Sequence, residues 1–308
     1  MNTRMLLVAP ALAALLLTCS LRLSAATPDA PAVRGEMHLE YVDGFLFAAT
    51  DEGWMVVDFA AGKTVVSRAI VPKNLDIRPE QSALEPSLHD WHYALGGLGI
   101  TLGGPHSMVT MPELVIGGLA FPSATVRVSD ALPRVADRAV IGILGTDLLR
   151  RADVVALSFK SASGKPTLML KGKGTPMKGK VEIPITVRNN VPFVSGTLNG
   201  KPLEFLLDTG SPESFVSLEA LRASGLSARP GSARMVQALD GTSKKVSATM
   251  PSTLSFGKRE LTSVSFNIGM LPVFSQFTES QNPALLGNDI LEQLGSFEID
   301  FAAGVVRL

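Results

Sequence analysis

Cysteine is almost missing from this chain. Cys19 stands alone among 308 residues, inside an N-terminal stretch expected to be removed. The mature chain is therefore expected to have no disulfide, no thiol nucleophile and no Cys-ligated metal. Histidine is also scarce, with 4 residues: His38, His89, His92 and His106. His89-Asp90-Trp91-His92 does not have the spacing of a zinc signature and is read as a solvated loop. No metal and no cofactor are expected. Charge of one sign is lacking, because 28 Lys and Arg balance 28 Asp and Glu. That gives no support for a nucleic-acid partner, which needs a basic face. There is no Gly-Lys-Ser/Thr phosphate loop, no GxSxG elbow and no HExxH. The glycine runs do not sit between a predicted strand and a helix, which argues against a nucleotide site.

The N-terminus has the form of a processing signal. Arg4 supplies a positive start, and Leu6 to Thr18 is an apolar run of 13 residues, too short to span a bilayer comfortably. Ser24-Ala25-Ala26 offers small residues for cleavage after Ala26, so residues 1–26 are read as a signal peptide and the chain as exported, to a periplasm or beyond. The rival is a lipoprotein anchored through Cys19; Thr18 is large for the place before such a cysteine, and plain cleavage is preferred. No later run reaches 18 apolar residues, so no transmembrane segment is expected after cleavage. Apolar residues make up 46% and charged residues 18%, enough for a packed core rather than a disordered chain.

The sequence also repeats itself. LLGNDILEQLGSFEIDFAAGVVRL (285–308) resembles ILGTDLLRRADVVALSF (143–159). Upstream, MVVDFAAGKTVVS (55–67) lines up without a gap on FLLDTGSPESFVS (205–217), so Asp58 falls on Asp208 and Ser67 on Ser217. Between these anchors, Thr110-Met111-Pro112 matches Thr249-Met250-Pro251, and Pro133 matches Pro272. Asp58 and Gly145 are 87 residues apart, and Asp208 and Gly287 are 79. The expected organisation is two homologous lobes, 34–170 and 181–308, joined by a Gly- and Lys-rich linker at 171–180. Both lobes read as all-β with a few short helices. Residues 182–188, 192–198 and 203–207 form short strands, with Asn199-Gly200 as a hairpin turn. A helix is expected from Ser217 as N-cap to Gly225, and another after Asp289.

In the second lobe three apolar residues, Phe205, Leu206 and Leu207, lead into Asp208-Thr209-Gly210-Ser211. Leu285-Leu286-Gly287 follows further on. This combination resembles the retropepsin-like and pepsin-like aspartic peptidases, clearly over 182–308 and over 34–170 only through the repeat. The resemblance implies two acid-protease β-barrel lobes and an endopeptidase acting on a peptide or protein substrate. Asp208 would be catalytic, with Thr209, Gly210, Ser211, Leu286 and Gly287 in support. It further implies that Thr209 locks the lobes through a hydroxyl–backbone hydrogen bond. A substrate-covering hairpin would turn at Leu239, Asp240 and Gly241, with GGLGITLGG (96–104) as its counterpart. Two readings stay open for Ser211: a bond to the outer oxygen of the Asp208 carboxylate, or a turn residue only.

Such chemistry needs two carboxyls close enough to share a proton, one as base and one as acid. Asp58 is the expected partner, giving an intramolecular dyad in a monomer. Its frame departs from the pattern: Phe59 has no hydroxyl, and Ala60 is poorly suited to a glycine-only backbone conformation, so its loop is expected to be distorted or built differently. Two alternatives stay open at this point. One is a non-catalytic peptide-binding relative. The other is a homodimer pairing Asp208 with its copy. Asp147 and Asp289, beside the late glycines, are read as N-caps or ion-pair partners.

Overall fold

Turn residues set the frame of the fold. Asp43-Gly44, Asn189-Asn190 and Asn199-Gly200 all take positive φ, from 50° to 83°. These residue types tolerate such backbone, and two consecutive positive φ values make the tight turn whose twist suits a β-hairpin. The computed structural model describes residues 32–79, 107–130, 132, 134–174, 180–237, 243–269, 271, 274 and 283–308. The expected signal peptide, the histidines at 89, 92 and 106, half of the linker (175–179), the matched prolines at 133 and 272 and the tips at 96–104 and 239–241 lie outside them.

The first half runs through β1 (Gly35–Val42), β2 (Phe45–Ala49), β3 (Trp54–Val57), β4 (Val65–Ser67), β5 (Arg78–Pro79), β6 (Ser107–Ile116), β7 (Leu119–Ser129), β8 (Arg134–Val135), β9 (Arg138–Leu144), α1 (Thr146–Leu149), β10 (Val154–Ser158) and β11 (Thr167–Lys171). The second runs through β12 (Glu182–Arg188), β13 (Val191–Leu198), β14 (Lys201–Leu207), β15 (Phe215–Val216), α2 (Leu218–Ala223), β16 (Arg234–Gln237), β17 (Ser243–Ala248), β18 (Ser252–Phe256), β19 (Arg259–Val264), β20 (Asn267–Ile268), β21 (Pro283–Leu286), α3 (Asn288–Leu294), β22 (Ser296–Asp300) and β23 (Val305–Arg307). The fold is all-β with short helices.

The same pairings recur in both halves. β3 lies parallel to β9 as β14 lies parallel to β21. β4 is parallel to β7 and antiparallel to β9, as β15 is to β20 and β21. Ser67 caps a 3-10 turn, accepting from Ala69 N, as Ser217 caps α2, accepting from Ala220 N. The halves join edge to edge in one antiparallel sheet ordered β1, β11, β10, β22, β23, β12. At the seam Ala156 stands opposite Glu298.

One expected match is corrected. Met108 pairs with Arg127, and Ala248 with Asn267, while Arg127 N and Asn267 N donate to Thr64 O and Ser214 O. Thr249 therefore corresponds to Val109, not Thr110. A slip of one residue turns a strand residue to the opposite face; accordingly Thr249 is buried and Thr110 exposed.

Two large apolar clusters, and a small one of Ala61, Val65 and Ile143, fill the interior. One crosses both halves and holds Leu207, Phe59, Phe205 and Phe297. The other gathers Phe47, Ala60, Phe193, Leu206, Phe215 and Val246. Alternation along β14 divides Phe205 and Leu207 from Leu206, as the period of a strand requires. Among the described residues no helix is long and apolar enough to cross a membrane.

Candidate active site

Asp208 leaves the buried end of β14, where Leu207 pairs with Leu286 of β21. Its backbone N–H donates to Leu286 O at 3.0 Å. The side chain is fully buried, and its Oδ1 accepts from Gly210 N at 3.0 Å. The following loop is sewn to the start of α3. Asn288 N donates to Ser211 O at 2.8 Å, Gly287 N to Ser214 Oγ at 2.8 Å, and Ser214 Oγ to Asp289 Oδ1 at 2.5 Å. A side chain at Gly287 would run into the backbone of Glu213, so the close approach itself demands glycine.

Asp58 is held in the same way at the end of β3. Its N–H donates to Leu144 O at 3.0 Å, and its buried carboxylate accepts from Ala60 N at 2.7 Å and Ala61 N at 3.1 Å. Thr146 N donates to Ala61 O at 2.8 Å. Gly145 N donates to Thr64 Oγ1 at 3.0 Å, and that hydroxyl donates to Asp147 Oδ1 at 2.7 Å.

The two loops meet. Thr209 Oγ1 accepts from Phe59 N at 3.0 Å and donates to Val57 O at 2.9 Å. One hydroxyl thus satisfies a buried donor and a buried acceptor of the other half. A Cβ placed on Gly210 would lie 2.5 Å from Cγ of Asp58, so the Asp58 carboxyl rests directly on the backbone two residues after Asp208. The hairpin tips complete the joint. Gly44 packs against Pro212, and Asn190 Nδ2 donates to Gly62 O at 3.0 Å. Each tip therefore touches the aspartate loop of the opposite half. Asn288 Nδ2 donates to both Gly44 O, at 2.7 Å, and Thr209 O, at 2.8 Å.

Residues 194–290 match the family model described as aspartyl protease. This segment belongs to the aspartyl protease family. It contains Asp208, Thr209, Gly210, Ser211, Leu286 and Gly287, and Asp58 lies before it. No curated protein matches the sequence. Among solved structures, basic 7S globulin from soybean is similar at 10% identity and a TM-score of 0.47, covering 90% of this chain and 95% of its own. A retropepsin-like aspartic protease from Rickettsia conorii is similar at 18% identity and a TM-score of 0.31, covering 44% of this chain and 94% of its own.

Within and beside the aspartyl protease segment, three expectations change. Ser211 is buried, but its hydroxyl donates to Glu213 O at 2.7 Å rather than to the Asp208 carboxylate; the tight turn of its own loop brings that carbonyl within reach. The Asp58-Phe59-Ala60 loop is not distorted. Neither Ala60 nor Gly210 takes positive φ, so glycine matters at Gly210 for room beside Asp58, not for backbone angles. Asp147 and Asp289 are not N-caps, since Gly145 and Gly287 hold those places. They tie the aspartate loops to α1 and α3, and loss of water around the carboxyls raises the pKa of both above the ordinary 3.8, Asp147 being the more enclosed, since Asp289 as a residue is exposed. The β16–β17 hairpin forms, with Arg234 opposite Val246 and Gln237 opposite Ser243; Leu239, Asp240 and Gly241 at its tip are outside the described residues. Among the described residues no His, Cys, Asp or Glu cluster is arranged to hold a metal.

Sequence reasoning missed Asn288, Gly44 and Asn190. The available signal was a residue with a side-chain donor after each late glycine, Thr146 in one half and Asn288 in the other.

Proposed function

We propose that this protein is an aspartic endopeptidase in which Asp58 and Asp208 form one intramolecular dyad. The observation that carries the reading is the joint between the loops: the Thr209 hydroxyl spans Phe59 N and Val57 O while the Asp58 carboxyl lies against Gly210. Two buried carboxyls held on facing loops cannot both ionise at little cost, so they share a proton. The ionised one takes a proton from water as it attacks the substrate carbonyl, and the other donates to the carbonyl oxygen. Thr209 fixes the separation of the loops, Gly210 leaves room for Asp58, and Leu286 and Gly287 support the Asp208 strand and loop. The β16–β17 hairpin, with Leu239 to Gly241 at its tip, covers the peptide.

In this reading the halves are two copies of one unit, 34–170 and 181–308. The recurrent pairings and the edge-to-edge seam support that. The seam also favours a monomer, because β22 already has β10 of its own chain as partner. The chain is exported, with cleavage after Ala26.

The mature chain should cleave an unfolded protein in mildly acidic solution and be blocked by a statine-type inhibitor. Asp208→Asn and Asp58→Asn should each lower kcat by about a thousandfold or more, as removal of a member of a catalytic unit does. Turnover that survives Asp208→Asn overturns the mechanism. One observation favours a second reading: Phe59 and Ala60 replace the hydroxyl and the glycine of the other half. A peptide-binding protein without catalysis would show saturable binding of peptides by wild type and no turnover at any pH.

A further inference from the structure

Asn288 opens α3 and is fully buried. Both oxygens facing its amide, Thr209 O at 2.8 Å and Gly44 O at 2.7 Å, are acceptors. Only the NH2 end can serve them, which fixes the orientation of the amide. Its own Oδ1 is buried and accepts no hydrogen bond among the described residues. A buried acceptor left unpaired is a standing cost, so the donated bonds account for this residue type here.

Thr209 C=O and Gly210 N–H belong to the same peptide unit, and Gly210 N donates to Asp208 Oδ1 at 3.0 Å. Hydrogen bonds in series polarise one another. Drawing electron density toward Thr209 O makes Gly210 N–H a better donor. We infer that Asn288 is a positioning residue for Asp208, acting through the Thr209–Gly210 peptide while tying that peptide to the hairpin tip of the other half. A stronger donor to the carboxylate favours its charged form. The Asp58 loop reaches the same end differently. Ala60 N and Ala61 N both donate to Asp58 Oδ1, and Thr146 Oγ1 donates to Ala61 O at 2.9 Å.

The ionisable groups on the elements packed here are Asp58 after β3, Asp43 beside Gly44, Glu213 in the same loop, Asp289 on α3 and Arg234 on β16. Substitution at Asn288 leaves all of them in place. The kinetic arm below rests on the proposed peptidase reading; the titration arm does not. Asn288→Ala removes the donor, and Asn288→Thr places there the residue type of Thr146, so a folded variant is available if one fails. Carbon-13 NMR titration of the aspartate carboxyls, with Asp208 identified by its loss in Asp208→Asn, should show its midpoint rising by about half a pH unit or more in a folded variant. In the kinetic arm kcat should fall about tenfold with KM changed less than about twofold, and the acid limb of the pH profile should move up in step. A purely structural role would lower Tm and leave both midpoints in place, and that result overturns the inference. If the titration moves but wild type turns over no peptide, the inference stands and the peptidase reading falls.

Discussion

At the scale of single residues, one hydroxyl does what two backbone groups need. Phe59 N and Val57 O are buried, and Thr209 Oγ1 serves both, at 3.0 Å and 2.9 Å. In Thr209→Val the shape survives but a donor and an acceptor lose their partner, so unfolding free energy should drop by about 2–4 kcal/mol. Thr209→Ser keeps the hydroxyl and should cost less than about 1 kcal/mol. Urea denaturation of the two variants beside wild type checks this; equal losses would show that the methyl, not the hydroxyl, matters. The first half answers with packing instead of a hydroxyl. Phe59 is buried edge-on against Phe297, with ring centroids 6.1 Å apart and planes at 88°. The Asp-Thr-Gly frame was legible in the sequence because its residues are neighbours along the chain. The bond from Asn288 to Gly44 joins residues 244 apart, and nothing local to either signals the other.

At the scale of elements, α1 and α3 begin in the same way, with a glycine at the cap and an aspartate as the second helical residue, partly buried at Asp147 and exposed at Asp289. Asp147 accepts from Thr64 and Asp289 from Ser214, and loss of water around the carboxyls raises both pKa values above 3.8, with the larger effect expected at Asp147 because Asp289 is an exposed residue. A carboxyl whose folded pKa exceeds its unfolded one binds its proton more tightly in the native state. Its contribution to stability is then full below the unfolded value near 3.8 and declines as pH rises from there through the folded value. Asp147→Asn and Asp289→Asn keep the accepting oxygen and remove the titration. Over that range the stability of wild type relative to either variant should therefore grow as pH falls, measured as urea midpoints at several pH values. A constant difference would mean that these carboxyls titrate normally. The hairpin turns and the cap at Ser217 were readable in advance, since Asn, Gly and Ser carry their own conformational reasons. The Thr110–Thr249 match failed by one residue because three-letter identity carries no strand register, which the pairing to β7 and β20 sets.

At the scale of the whole molecule, the halves are joined by β10 and β22, with Ala156 opposite Glu298. Two copies of β22 in that register would place Glu298 against Glu298, and like charges directly opposed destabilise a sheet. Within one chain Glu298 meets alanine there and Lys171 Nζ at 3.2 Å from the first half. Behind it Arg307 binds Glu182 at 2.7 Å, Glu298 at 2.9 Å and Asp300 at 2.9 Å. Arg307, Glu298 and Asp300 are all buried. Removing one member of such a group leaves charge without compensation, so Arg307→Met should cost about 3–5 kcal/mol. The loss comes from the abandoned carboxylates rather than from a missing attraction alone. Neutralising one of them should then restore part of the stability, and Arg307→Met with Glu298→Gln should be more stable than Arg307→Met by itself. Urea denaturation of the single and double variants decides between these accounts. If the two losses simply add, Arg307 contributes by packing its aliphatic stem, and the seam does not depend on its charge.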